Sequence, residues 1–272
     1  MVFLPSQEIL LNLGRMDDLA RQDSPIHRLD GRIKVLTALF FIVCVISFPP
    51  YTLGPLLPFF VYPLFVMSTA RLPAGLIGKR LLVLSPLAIL VGLFNPLLDR
   101  QPLLQVGTAS ISGGWVSFVS ILLRFVLTVG SLLTLTASTG IETICAALQK
   151  MKVPRLFVLQ ILFLYRYLFV LTEEAARLLR ARSLRSFGRQ GNGFAIFRSM
   201  AGSLLLRSLQ RAEAISRAMY CRAFEGRIPI ERPFQLTRQD ILFFCCWTFL
   251  FGVFRWGNPI GILVGLIQGP TR

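Results

Sequence analysis

Two stretches of this chain place arginines where they could do chemistry: ARSLRSFGR at 181–189 and CRAFEGR at 221–227. A guanidinium is permanently charged and planar, and its fork of donors engages carboxylates bidentately. Counting back from Arg182, positions −3, −4, −7 and −11 are Leu179, Leu178, Ala175 and Leu171; from Arg222 they are Met219, Ala218, Ile215 and Arg211. These are helical spacings, so each arginine continues an apolar stripe and points at whatever that stripe packs on. Any one arginine near a helix C-terminus is explained as well by the macrodipole and by carbonyl capping. It is the repeated phase that favours a shared role and two helices with similar ends. Glu173 and Arg177, at i,i+4, read as an exposed supporting pair.

Other chemistries find little to work with. The nearest phosphate loop, GLIGKRL at 75–81, lacks the full Gly-x4-Gly-Lys-Ser/Thr spacing and the hydroxyl that would hold magnesium. There is no G-x-S-x-G elbow, no H-E-x-x-H helix and no catalytic triad. With His27 as the sole histidine and five cysteines without paired spacing, neither a metal site nor a disulfide framework is expected. Asp17-Asp18 is too isolated for the paired metal-binding aspartates of an isoprenoid-type membrane enzyme. Arg124, inside ILLRFVLTVG, could anchor an anionic substrate or be a buried structural arginine bonded to carbonyls. Arg255 could snorkel from the end of the last apolar segment.

The elements that must carry these arginines belong to a membrane protein. Hydrophobic residues make up 54% of the chain and charged residues 15%, outside the usual range of soluble domains. Segments 35–48, 51–70, 81–98, 114–138 and about 241–267 are the candidate spans, since crossing a bilayer takes about 20 apolar residues. The N-terminus has no basic leader running into an apolar stretch with a cleavage site, so no removable signal peptide is expected. The expected fold is an all-α integral membrane protein with about five transmembrane helices plus long cytoplasmic or interfacial helices. Its parts are a cytoplasmic segment 1–34, spans over 35–138, a helical module 139–238 and a last span in 239–272.

Charge sets the expected orientation. Arg15, Arg21, Arg28, Arg32 and Lys34 flank the first span, and Lys150 to Arg238 is rich in arginine, whereas only Arg100 and Arg272 fall on the opposite side. By the positive-inside rule the N-terminus and the 139–238 module are cytoplasmic. The formal net charge of +16 then suits anionic lipid headgroups or an acidic partner. Nucleic acid is not an expected partner, because no interleaving of aromatic and basic residues accompanies the charge. Within the module, 155–187 and 194–224 read as long helices ending at Gly188 and Gly226. The first half of 155–187 is apolar enough to span, but Arg155, Arg166 and the charged second half favour a tilted interfacial helix. No carboxylate lies mid-span: Asp99, Glu142 and Asp240 sit at ends, which leaves ion-coupled transport without a coupling residue.

SPIHRLDGRIKVLTALFFIVCVISFP (24–49) resembles the N-terminal signature of the transmembrane T component of energy-coupling factor (ECF) transporters, most closely the cobalt-type CbiQ family. YRYLFVLTEEAARLLRARSLRSFG (165–188) and RSLQRAEAISRAMYCRAFEGR (207–227) resemble its two coupling helices. The resemblance implies a scaffold that holds a substrate-binding membrane subunit and rests its coupling helices in grooves of two ABC-type ATPases, which would bind the ATP and magnesium. It also implies a short Ala-Arg-Gly-like motif on each coupling helix, whose arginine meets acidic groups of an ATPase. Here the motifs are Ala181-Arg182-Ser183 and Cys221-Arg222-Ala223. The second keeps the arginine and departs in both neighbours, which puts in doubt the close helix approach that glycine permits. The cobalt-type likeness implies a plasma-membrane system for Co2+ uptake with metal recognition in a partner; nickel or a vitamin remains open. A stand-alone carrier built around Arg124 is the competing reading.

Overall fold

The computed structural model describes residues 24–49, 53–98, 102–106, 109–186, 193–224, 226 and 236–256. The chain divides into two compact units: Leu19–Gly140 with Pro233–Arg272, and Met1–Asp18 with Ile141–Arg232.

In the first unit, helix α1 is Gly31–Ile46. Asp30 is its N-cap, accepting the Arg32 amide at 2.9 Å, and Ser47 closes it, its amide bonded to the Val43 carbonyl. Segment 51–70 reads as a single span, but the described part is a 3-10 helix, Gly54–Phe60, running into α2, Val61–Thr69. Pro58 lies inside the 3-10 stretch and supplies no amide hydrogen to an α-ladder, so that stretch winds more tightly. Helix α3, Ala74–Leu98, starts earlier than the expected span and stays helical through Pro86 and Pro96. Pro86 cannot donate to the Leu82 carbonyl; the Ser85 hydroxyl donates there instead at 2.8 Å.

A short antiparallel hairpin, β1 (Pro102–Val106) and β2 (Ala109–Ser112), with Leu104 opposite Ile111, precedes α4, Gly113–Thr139. Helix α3 packs along α4, where Phe118 leaves no room for a Cβ at Gly92: the nearest ring carbon would be 2.9 Å away. Small hydroxyl residues Ser117, Ser120, Ser131, Thr134 and Ser138 are buried along α4, which lets neighbouring backbones approach. Helix α8, Arg238–Trp256, packs on α1. An aromatic core joins them: Phe41 lies 4.8 Å from Tyr62 and 5.4 Å from Phe251, and Tyr62 is 5.0 Å from Trp247, ring centre to ring centre.

The second unit holds α5 (Ile141–Lys150), α6 (Arg155–Ser186) and α7 (Gly193–Cys221). Cys145, Ala146 and Ala147 are buried in the middle of α5, which packs on α6. α6 buries only Val158 and Ala176, and α7 buries no residue at all.

Three helices end alike, with a non-glycine residue at positive φ: Arg71 (51°), Lys152 (67°) and Ala223 (51°). In each, that residue's amide bonds three residues back and the next amide five back: Arg71 to Ser68 and Leu72 to Met67, Lys152 to Gln149 and Val153 to Leu148, Ala223 to Tyr220 and Phe224 to Met219. This is the Schellman arrangement, in which glycine is the residue without strain.

The chain is thus a helical integral membrane protein, with one small hairpin that no hydrophobic pattern announces. Among the described residues, Ala74–Pro96, Gly113–Thr139 and Arg155–Ser186 are long and apolar enough to cross a bilayer. α6, read from sequence as interfacial, therefore meets the length and apolarity of a span as one unbroken helix. α1, at 16 residues, is shorter than the usual span. The part of the last expected span beyond 256 lies outside the described residues.

Candidate functional site

The candidate site is the pair α6 and α7 with the two arginine motifs. The helices are tied by an ion pair from Arg207 to Glu174. To one side of that pair lies a groove of about 620 Å³, lined from α6 by residues before Glu174, among them Gln160, Phe163, Tyr167 and Leu171. From α7 it is lined by residues after Arg207, including Ile215 and Met219. Early α6 therefore faces late α7, and the helices run in opposed directions.

This arrangement separates the two motifs. Arg182 is eight residues past Glu174 and Arg222 fifteen past Arg207, so they lie about 12 and 22 Å from the ion pair in opposite directions at 1.5 Å rise per residue. The structure does not bring the arginines together: along the two helix axes they lie up to roughly 35 Å apart. Neither forms an ion pair among the described residues.

The motifs also differ locally, which corrects the expectation of similar helix ends. Ala181, Arg182 and Ser183 are inside α6, with Arg182 half-buried and its two neighbours exposed. Ser183 folds its hydroxyl back onto the Arg180 carbonyl at 2.8 Å. Cys221 is the last residue of α7, and Arg222 is its cap, with Ala223 left-handed beyond it; all three are exposed. α7 stops at Cys221 rather than running to Gly226, because the two Schellman bonds at Ala223 and Phe224 close it there. Ala223 is in left-handed backbone, where a glycine would relieve strain.

Of the predicted stripes, Leu171, Arg211, Ile215 and Met219 line the groove, whereas Leu178 and Leu179 are half-buried outside it and Ala218 is exposed. Gln160, Phe163 and Tyr167 were not singled out from sequence, though their i, i+3, i+7 spacing with Leu171 marks one face of α6. Arg177 donates to Glu173 at 2.7 Å with both side chains more than half exposed, as the spacing predicts.

Two further arginines converge on the end of α1. Arg124 Nη2 donates to the Pro49 carbonyl at 2.5 Å. Arg255 turns back rather than outward: its Nη2 is 3.4 Å from the Ser47 carbonyl and its guanidinium 4.6 Å from the Phe48 ring centre. Both complement the partial negative charge at a helix C-terminus. No cluster of three His, Cys, Asp or Glu residues among the described residues could hold a metal ion.

A model of the cobalt transport protein family CbiQ matches residues 22–232, which include α1 to α7 and both motifs. The chain belongs to the CbiQ family. It is 29% identical over 257 residues to the energy-coupling factor transporter transmembrane protein EcfT of Acidaminococcus fermentans, covering 87% of this chain and 95% of that one. It is 26% identical over 227 residues to a fused cobalt transport protein, CbiMQ, of Methanocorpusculum labreanum, covering 78% of this chain but only 36% of the fused protein. The cobalt transport protein CbiQ of Salmonella typhimurium is 24% identical over 149 residues, 51% of this chain and 66% of that one. This CbiQ-family chain is accordingly a membrane component of a transporter.

Proposed function

We propose that this chain is the scaffold and coupling subunit of an ECF-type ABC importer, carrying the motion of two ATPases to a substrate-binding membrane subunit. The observation that carries the reading is the placement of Arg182 and Arg222 near opposite ends of one opposed helix pair, neither engaged by a carboxylate among the described residues. Two separated guanidiniums on one helix pair suit two copies of an acidic groove. The chain itself carries no phosphate loop, so ATP and magnesium belong to the ATPases. The arginine motifs of α6 and α7 face the cytoplasm of a bacterial or archaeal plasma membrane, a reading supported by the concentration of Lys and Arg between 150 and 238.

Cobalt is the proposed cargo, on the strength of the named relatives. Recognition of Co2+ then belongs to the partner membrane subunit, since one histidine, His27, and five cysteines without paired spacing do not make up a ligand set.

The test is ATPase association and ATP-driven uptake for Arg182→Glu, Arg222→Glu and the double reversal, each with and without an acid-to-Arg change in the ATPase groove. Losing one partner of an interfacial charge pair should loosen association on the order of 30-fold or more, with lysine rescuing in part. Arg177→Ala should leave association unchanged. A double reversal that assembles and transports like wild type would overturn the coupling role, and uptake by the chain alone would favour the stand-alone carrier.

A further inference from the structure

One carboxylate joins the starts of two helices that lie far apart in sequence. Asp240 is 2% exposed. Its Oδ2 accepts the Thr237 amide at 2.8 Å, the return half of a capping box at the start of α8. Its Oδ1 accepts the Asp30 amide at 3.0 Å, and Asp30 is itself the N-cap of α1. A buried carboxylate is tolerable here because two backbone donors and two helix N-termini stabilise the charge. At the other end of the same pair, Arg255 reaches the Ser47 carbonyl and the Phe48 ring. α1 and α8 thus run parallel and are held at both ends, with Phe41 against Phe251 between them.

We propose that Asp240 is a positioning residue, a clip that makes α1 and α8 move as one body when the second unit moves. The proposal rests on the coupling function proposed above. The chain leaves the second unit at Arg232 and resumes in the first at Pro233, so α8 is the helix that follows that passage directly. Without a bond from the start of α8 to α1, displacement arriving along the chain would be absorbed by fraying or swinging of α8. With it, the displacement reaches α1 and, through the aromatic core, α2. Asp240 also lies beyond the region that the family model matches, which ends at residue 232.

The geometry demands a carboxylate rather than any polar group. Two amide hydrogens need two acceptor oxygens, and an asparagine of the same shape offers one acceptor and sets an NH2 against the other donor. Asp240→Asn keeps the volume and one of the two bonds, whereas Asp240→Ala removes both acceptors and with them the clip. The companion Asp240→Ala/Thr237→Asp gives α8 a stronger N-cap side chain, so α8 stays formed while the bond to Asp30 is missing.

The first measurement is hydrogen exchange of the purified full-length chain. Exchange at the Asp30 amide should rise on the order of tenfold in Asp240→Ala and in the double variant, the equivalent of one charge-assisted hydrogen bond. The second uses the complex reconstituted with its ATPases and substrate subunit: the double variant should hydrolyse ATP at the wild-type rate, while uptake per ATP falls on the order of tenfold if the clip transmits the motion. An unchanged Asp30 amide means that there is no clip. A faster amide with unchanged uptake per ATP means that the clip transmits nothing, and either result overturns the proposal. If the wild-type chain fails to bind ATPases, the coupling function fails and the transmitting role with it, while the exchange result still decides whether the two helix starts are joined.

Discussion

Glu174 of α6 and Arg207 of α7 form an ion pair, and among the described residues it is the one salt bridge between the two long helices. The carboxylate is 19% exposed and the guanidinium 56%, so solvent screens the pair only in part. It fixes where the helices meet and hence how far each arginine motif projects beyond the junction. A double-mutant cycle with Glu174→Gln and Arg207→Gln should return a coupling energy of about 0.5–1 kcal/mol in thermal or denaturant unfolding. Zero coupling would mean that the apolar groove residues alone set the junction.

The left-handed residue that ends α7 predicts a stabilising substitution. An L-residue with a Cβ in that conformation is strained by about 1–2 kcal/mol, part of which glycine's unfolded-state entropy takes back. Ala223→Gly should therefore stabilise the second unit by about 0.5–1 kcal/mol, and Lys152→Gly should do the same at the end of α5. A measured loss of stability in both would contradict the Schellman assignment.

Arg124 donates to a carbonyl at the end of α1, which predicts a stability defect rather than a binding defect. Arg124→Gln should lower stability by about 1 kcal/mol, with substrate uptake per folded complex unchanged. Loss of uptake at unchanged melting temperature would instead make it a ligand-binding residue.

Cys145 and Cys221 should differ in reactivity. Cys145 is 1% exposed, and burial, reinforced by the nearby Glu142 carboxylate, pushes its thiol above the ordinary range. A raised thiol pKa depletes the thiolate at neutral pH, so its alkylation should be slow and should accelerate as pH rises. Cys221 is exposed at the end of α7. In a chain keeping only these two cysteines, an impermeant maleimide should label Cys221 rapidly in inverted vesicles and not in intact cells. Labelling from outside would reverse the proposed orientation.

Much of this protein follows from local sequence pattern. A 54% hydrophobic composition and apolar runs the length of a bilayer determine a helical membrane protein, because each helix satisfies its own backbone within one segment. The Glu173–Arg177 pair and the helical face of Arg182 follow from the 3.6-residue repeat for the same local reason. The motif triplets and the N-terminal signature pointed to the CbiQ family before any coordinate was needed.

Tertiary structure alone decided the rest. Periodicity assigns Arg182 and Arg222 the same phase, yet opposed helices set them at far ends of the pair, and the Schellman turn puts one in a cap and the other inside a helix. Asp240 reads as a polar residue at the end of a span until Asp30, 210 positions away, turns out to donate to it. Arg255 reads as a residue reaching for water until the carbonyl end of α1 is placed beside it. In each case the side chain's chemistry is visible locally, but its partner is supplied by the path of the backbone, and no repeat within one helix encodes that path.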